Sequence, residues 1–449
     1  MTREDIKNIL NDTVFASSSP AAAEYVDTAV EVLFNIKREF GNPIINQHDL
    51  PLSTLNTYRQ INTSTFPHFE YRLEDFLLTR ATKYLKKVEI KKNNLQGQYL
   101  FTKKSIQINE DELSLNKFKM VDESFNNEVF DLPNRRKDFL IFTPRNRQGF
   151  DKGEFLNQSD KHGKFYIEVI TEEEAAHNFA ISKKLVFAHE FLHALKSEYS
   201  HKLFNIRTGF QISKFNIMKN MILDECINDL HAIRLTRLEE YVTKKLCYIG
   251  NNDEVYTMQR LDSNNAYSEV LDIAEFLEMI IGEKKLFMGA IVKPEHLINM
   301  FNAKFNDVFY NNTELKIMSK KVFGCSLENF SSPWEILSNF SAKLVNKSAN
   351  IKMMQIKKAL HYTLIRALAF EIASFKPQDN NLASLKEQYE RLIKMPERVY
   401  NLMIMQKEDK GKENQPVYEE FLKLNEICNR KCEDIKAGID MLSSELRSN

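Results

Sequence analysis

The stretch Leu185-Val186-Phe187-Ala188-His189-Glu190-Phe191-Leu192-His193-Ala194-Leu195 is apolar or alanine except for His189, Glu190 and His193. The apolar positions predict a helix that faces a protein core, and the polar positions form an H-E-x-x-H motif. At 3.6 residues per turn, the two histidines lie one turn apart on the same face, and Glu190 lies about 100° away. The spacing therefore offers two imidazole ligands for one zinc ion and a carboxylate that can reach a water beside it.

A third zinc ligand is expected on a second helical stretch, residues 221–230. Glu225 and Asp229 are four residues apart in it, so they share one face of the predicted helix. In this arrangement Glu225 binds the metal, while Asp229 accepts the other ring N–H of a ligating histidine and fixes its tautomer. Asp224 and Asp229 stay open as alternative third ligands, and Glu225 is preferred because it completes the usual His₂Glu set.

The segments H-E-F-L-H and D-E-C-I-N-D together resemble the glutamate-ligand zincins, the gluzincin metallopeptidases that include thermolysin and the clostridial neurotoxin light chains. The resemblance covers the stretch from His189 to Asp229. It implies His189, His193 and Glu225 as zinc ligands. It also implies Glu190 as the general base and Asp229 as the carboxylate that orients a ligand. The interval after His193 is longer than in thermolysin and is closer to the neurotoxin type.

The predicted activity is hydrolysis of a peptide bond in a protein or peptide substrate. A zinc ion with three protein ligands keeps its fourth position for water and polarises the scissile carbonyl. Glu190 would take a proton from this metal-activated water and pass it to the leaving amine. By residue type, Tyr241, Tyr267 and Arg207 are candidates for the donor that stabilises the oxyanion. His231 is expected to point off the ligand face.

Other interpretations stay open. The chain could be a non-proteolytic zinc-binding protein with a helical interaction module, which requires a fourth protein ligand such as His231 or Cys226. It could also be a helical scaffold in which the motif is coincidental, and this interpretation predicts no stoichiometric metal. A metzincin is excluded at the usual spacing, because Lys196 and Tyr199 stand where that class needs Gly and His.

The charge balance and the cysteines limit the class of protein. Lys and Arg together number 62, as do Asp and Glu, and no long block of one sign occurs. Binding to nucleic acid is therefore not expected. The five cysteines are few and widely spread, which is typical of reduced thiols. The chain has neither an apolar run that could span a membrane nor a Sec-type signal. We expect a cytoplasmic protein, or a bacterial effector protease translocated into a host cell.

The pattern of elements predicts an α+β fold, in which a zincin-like core of a small mixed sheet and the motif helix precedes a mostly helical C-terminal half. With 449 residues, the chain is expected to form several domains. The expected division is an N-terminal helical region (1–85), a catalytic core (86–260) and a C-terminal helical region (261–449).

Local patterns predict the individual elements within this frame. Strands are predicted at 87–91, 98–109, 138–143 and 164–171. Residues 165–170 are expected to form an edge strand that pairs with an extended substrate. The predicted helices are 21–40, 269–281, 294–302, 333–375, 382–405 and 417–446.

Overall fold

The computed structural model describes residues 1–45, 72–92, 95–110, 140–144, 155–160, 163–170, 172–200, 205–214, 217–239, 243–249, 255–261, 267, 270–345, 350–374, 382–403, 405–406 and 415–448. The chain divides into two compact units. Unit 1 comprises Met1–Thr243, Leu261–Leu271 and Lys284–Asn299, and unit 2 comprises Lys244–Arg260, Asp272–Glu283 and Met300–Asn449. The three regions expected from the sequence stay a prediction, because they divide the chain by element type and not by contacts.

The described chain is mostly helical with small sheets, so the predicted α+β class is confirmed. Two helices form the candidate site and are named here: the motif helix, Glu172–Lys196, and the carboxylate helix, Met221–Thr236. In chain order the helices are α1 Arg3–Leu10, α2 Tyr25–Phe40, α3 Leu73–Tyr84, α4 (the motif helix), α5 (the carboxylate helix), α6 Leu271–Ile281, α7 Glu283–Val292, α8 Pro294–Tyr310, α9 Thr313–Phe323, α10 Pro333–Val345, α11 Asn350–Ser374, α12 Leu382–Leu402 and α13 Gln415–Ser448.

The core of unit 1 surrounds the motif helix. Phe187, Phe191 and Leu195 have no exposed surface, and they belong to one apolar cluster with residues of α1, α2, α3, α5 and α7. The ring of Phe187 stacks on Tyr25 of α2 at 4.9 Å and on Phe191 at 5.8 Å. The stretch 185–195 of this helix is apolar on nearly every side, so other elements must pack around it to remove it from water. This requirement explains why the helix lies at the centre of the unit.

The strands of the described chain form four small sheets. The sheet next to the motif helix is mixed and has the order β1-β3-β2, with β1 parallel and β2 antiparallel to β3. The strands are β1 Lys87–Ile90, β2 Gly97–Leu100, β3 Ser105–Ile108, β4 Leu140–Pro144, β5 Phe155–Asp160, β6 Gly163–Ile170, β7 Ser197–Ser200, β8 Asn205–Thr208, β9 Gln211–Lys214, β10 Ile217–Lys219, β11 Thr243–Ile249, β12 Val255–Leu261 and β13 Met405–Gln406. The predicted run 98–109 is thus a hairpin of two strands, because the chain turns through residues 101–104.

The expectation that residues 165–170 form an edge strand is wrong. They lie in β6, which is the central strand of its sheet, with β4 on one side and β5 on the other. The backbone groups on both of its edges are therefore already paired. The edge strand beside the motif helix is β2, whose second edge has no strand partner among the described residues.

A four-stranded antiparallel meander connects the two site helices. Its first strand, β7, follows directly after the motif helix, and its last strand, β10, precedes the carboxylate helix. This meander accounts for the long interval of 32 residues between His193 and Glu225. Antiparallel strands alternate in direction, so four of them return the chain to its starting level and the two helices can pack side by side.

Unit 2 is built from helices, with β11, β12 and β13 as its sheet. Its two C-terminal helices, α12 and α13, pack against each other and agree with the predicted helices 382–405 and 417–446. The first of them ends earlier than predicted, since Met405 pairs with Thr257 in a strand. The helices α7 and α9 were not predicted from the sequence.

No helix in the described part of the chain combines the length and the apolar character needed to cross a membrane.

A buried arginine holds the C-terminal end of the motif helix. Arg80 donates to the carbonyls of Leu195 and Ile291 at 3.2 and 3.1 Å, and it lies 3.7 Å from the carboxylate of Glu198. Because Arg80→Met removes the donor and leaves these buried acceptors behind, we expect unfolding in urea to require about 2–3 kcal/mol less free energy.

The control for this experiment is Lys7→Met. Lys7 forms an ion pair with Asp27 in which both side chains are well exposed, so its loss should change stability little. An effect of Arg80→Met no larger than that of Lys7→Met would contradict the role assigned to Arg80.

Candidate metal centre

Three ligand atoms converge where the motif helix packs on the carboxylate helix. The separations are 3.0 Å between Nε2 of His189 and Nε2 of His193, 2.9 Å between His189 Nε2 and Glu225 Oε2, and 3.1 Å between His193 Nε2 and Glu225 Oε2. The two histidines are 6% exposed, so the triangle they form with Glu225 is largely shielded from solvent. These are the three residues that the sequence resemblance implied as ligands.

The donor set fits a divalent metal ion. In a tetrahedral site with bonds of about 2.0–2.2 Å, neighbouring ligand atoms lie roughly 3.3–3.6 Å apart, so the observed triangle needs to open by only a few tenths of an ångström. At these distances the lone pairs of two imidazoles and a carboxylate need either a shared proton or a metal cation between them. The same donor set accepts several first-row divalent metals, zinc among them.

Asp229 orients the first histidine. Its Oδ1 lies 2.5 Å from Nδ1 of His189, so Nδ1–H donates to the carboxylate and Nε2 faces Glu225. Burial alone would lower the pKa of His189, but the Asp229 and Glu225 carboxylates outweigh burial and hold this pKa well above its usual range. For Glu225 burial would raise the pKa, but His193 and His189 outweigh it and hold the pKa well below the usual range.

Glu190 lies on the side of the motif helix that faces β2. The main-chain N–H of Tyr99 donates to its carboxylate, and a Cβ added at Gly97 would lie 3.1 Å from Glu190 Oε1 and would collide with Val186. A residue without a side chain is therefore needed at position 97 for the strand to come this close. Burial raises the pKa of Glu190, which is 8% exposed, and the neighbouring histidines oppose this shift.

Among the oxyanion-donor candidates that the structure describes, Tyr267 is the one placed beside the ligands. Its ring is parallel to the imidazole of His189, with the centroids 6.4 Å apart, and burial raises the pKa of its phenol. Arg207 pairs with Glu198 and Glu295. The ring of His231 packs against Phe287 and its Nδ1 faces Lys196, so it does not belong to the triangle, as expected. Tyr241 lies outside the described residues.

Asp224 has a different partner, which separates it from the metal ligands. Its Oδ1 accepts from the main-chain N–H of Phe210 at 2.6 Å, in the turn between β8 and β9. Gly209 in that turn has a φ of +61° and lies so close to Asp224 that a Cβ would collide with the carboxylate. Burial raises the pKa of Asp224 to about 6. The structure therefore brings Glu225, and not Asp224, to the histidines.

A fourth protein ligand is not found among the described residues. The group of histidine, cysteine and acidic side chains that can hold a metal consists there of His189, His193 and Glu225. Cys226, one candidate for a closed site, donates its thiol to the carbonyl of Leu223 within its own helix.

Two further buried residues lie near the site, and no role was predicted for them from the sequence. Asn228 donates to the main-chain carbonyl of His189, and Lys196 donates to Asn228, both at 2.7 Å. Helical spacing is the signal that could have revealed them, because Asn228 lies three residues after Glu225 and Lys196 lies seven residues after His189.

Comparison of the chain with models of protein families, with curated proteins and with solved structures finds no match.

Zinc binding is expected to release a proton. Because the carboxylates raise the pKa of His189, its imidazolium form is populated near neutral pH in the metal-free protein. Zinc binds the neutral imidazole, so its apparent affinity should rise by up to about tenfold per pH unit until the pH exceeds that pKa. Calorimetric titration at pH 6.5 in buffers of different ionisation enthalpy measures the number of protons released.

The matched variant is Asp229→Asn, which removes the nearest negative charge from His189. It should release fewer protons at the same pH. Equal proton counts for the wild type and this variant would show that Asp229 does not set the protonation of the ligand.

Proposed function

We propose that this chain is a zinc-dependent metallopeptidase of the gluzincin type, which hydrolyses peptide bonds of a protein or peptide substrate with Glu190 as general base. The observation that carries the proposal is the convergence of His189 Nε2, His193 Nε2 and Glu225 Oε2 to within 3.1 Å of one another. Two imidazoles and one carboxylate form the ligand set of many catalytic zinc sites.

The number of ligands supports a catalytic over a structural metal. Structural zinc sites are closed by four protein ligands, whereas catalytic sites keep one position open. Within the described part of the chain the triangle has three members. A buried carboxylate beside the ligands, Glu190, is a further feature that a purely structural site does not need.

Each residue of the site has a separate role in the proposed hydrolysis. A bound zinc ion would supply Lewis acidity and lower the pKa of a water molecule. Glu190 takes the proton of the attacking water and delivers it to the leaving amine, and burial favours its protonated form between these two events. Asp229 keeps His189 in the tautomer that presents Nε2. The phenol of Tyr267 donates a hydrogen bond to the oxyanion.

The neighbouring sheet supports an extended peptide as the substrate. The second edge of β2 has no strand partner among the described residues, and Glu190 packs against this strand. A peptide that adds to a sheet edge is held by main-chain hydrogen bonds, and alternate side chains can fill pockets. Such binding would bring a scissile bond beside the catalytic residues.

The metal content of purified variants tests the ligand set. We expect one zinc per chain in the wild type and in Glu190→Gln, measured by elemental mass spectrometry, and a loss of zinc in His193→Ala and Glu225→Ala. The variant His296→Ala removes an exposed histidine outside the site and should keep its zinc. Wild-type protein that stays free of metal after resupply with zinc would overturn the proposal.

The peptidase activity itself is tested with a peptide library. Wild-type protein should cleave a subset of peptides, identified by mass spectrometry of the products, and Glu190→Gln should be inactive while it retains its zinc. Because Glu190→Gln still binds substrates, it can also capture a protein substrate for identification. Cleavage at equal rates by the wild type and Glu190→Gln would rule out the role of Glu190.

Tyr267→Phe tests the oxyanion donor. Loss of one such hydrogen-bond donor is expected to lower kcat by about 10²-fold, with KM and zinc content nearly unchanged, since the bond forms in the transition state. The control is Tyr310→Phe, which removes a hydroxyl that donates to the carbonyl of Phe330 in unit 2. Steady-state kinetics on a peptide from the library decides between Tyr267 and another donor.

A further inference from the structure

A buried polar cluster ties the motif helix to the carboxylate helix beside the ligand triangle. Lys196 Nζ donates to Asn228 Oδ1 at 2.7 Å, and Asn228 Nδ2 donates to the main-chain carbonyl of His189 at 2.7 Å. Lys196 Nζ also lies 3.1 Å from Nδ1 of His231. Lys196, Asn228 and His231 are at most 1% exposed. A buried lysine is costly unless it is well paired, so its presence here requires an explanation.

The two partners of Asn228 determine the orientation of its amide. A lysine ammonium can only donate, so Oδ1 must face Lys196. A main-chain carbonyl can only accept, so Nδ2 must face His189. Because both partners lie on the motif helix, Asn228 anchors the carboxylate helix to one level of its neighbour. The charged donor strengthens this anchor, since hydrogen bonds to ionised groups are the stronger ones.

This anchor lies next to the residues that would hold the metal. Asn228 is three residues after Glu225 and one residue before Asp229, so it moves with both carboxylates as one helix. A slide or rotation of the carboxylate helix that removed Glu225 from the histidines would also break the bond from Asn228 to His189. Because Asn228 is uncharged and both of its bonds are to protein groups, the anchor holds in the absence of metal.

We propose that Asn228 and Lys196 are positioning residues, which hold Glu225 at its place beside His189 and His193 before the metal arrives and thereby raise the metal affinity of the site. The inference rests on the proposed metal site and deepens it. A preorganised site loses less conformational freedom on binding, so more of the interaction energy appears as affinity. Outer residues of this kind change metal affinity by about 10–100-fold.

The experiment compares the zinc affinity of the full chain with that of Asn228→Leu, Lys196→Met and the double variant. Leucine has the same branched arrangement of heavy atoms as asparagine but no polar atom, so Asn228→Leu removes both hydrogen bonds. Affinity is measured by competition with a chromogenic chelator. The absorption spectrum of the cobalt-loaded protein reports on the ligand geometry, and urea unfolding of the metal-free protein measures stability.

The expected result is a loss of zinc affinity of at least about tenfold in Asn228→Leu. A smaller loss is expected in Lys196→Met, and the double variant should resemble Asn228→Leu, because Lys196 acts through Asn228. The control Thr236→Val removes a buried hydroxyl from the same helix, which donates to the carbonyls of Ala232 and Ile233. It should leave the zinc affinity within about twofold of the wild type.

The outcomes separate a positioning role from a merely structural one. Variants that unfold more easily when metal-free but bind zinc with wild-type affinity and the wild-type cobalt spectrum would overturn the proposal, as would failure of both single variants to fold. The test is independent of catalysis. If the wild-type protein binds zinc but cleaves no peptide, the proposed peptidase activity is disproved and the positioning role is unaffected. If Asn228→Leu binds zinc with unchanged affinity, the positioning role is disproved and the peptidase activity is unaffected.

Discussion

The packing of the motif helix on the carboxylate helix is the constraint on which the rest of the site depends. This contact buries three histidines, three carboxylates, an asparagine and a lysine in the middle of an apolar core, namely His189, His193, His231, Glu190, Asp224, Asp229, Asn228 and Lys196. Each of these groups would be strongly destabilising without a partner. The arrangement is tolerable because they satisfy one another: Asp229 accepts from His189, Asn228 links His189 to Lys196, and Glu225 lies between the two imidazoles.

The N-terminal helices keep this contact in place from outside. Asn35 on α2 donates to the carbonyl of Leu235 at 2.6 Å and so reaches the end of the carboxylate helix. Arg80 on α3 donates to the carbonyl of Leu195 in the last turn of the motif helix, where the helix dipole favours a positive charge. Residues from both helices also belong to the apolar cluster around Phe187. The first part of the chain is thus a structural support of the candidate site.

Features that depend on local sequence patterns were predicted correctly, whereas features that depend on contacts between distant parts of the chain were not. The motif helix and the carboxylate helix were predicted correctly because their apolar periodicity is local. The edge position predicted for residues 165–170 was wrong. Strand pairing depends on partners that are distant in sequence, and β6 pairs with a strand on each side. No role was predicted for Asn228 and Lys196, because the role of an amide or a lysine on a helix depends on the hydrogen-bond partners that a neighbouring helix supplies.

Residue chemistry and helical period already define the residue types of the candidate ligands, their spacing along each helix and the α+β class. Which carboxylate meets the histidines depends on how the two helices pack in the folded chain. Asp224, Glu225 and Asp229 are separated by at most five positions on one helix, and the side on which the motif helix packs turned them toward Phe210, the histidine pair and His189 Nδ1 respectively. The packing of the two helices brings together residues that are 32–40 positions apart in sequence. No local sequence pattern predicts which of these residues will meet.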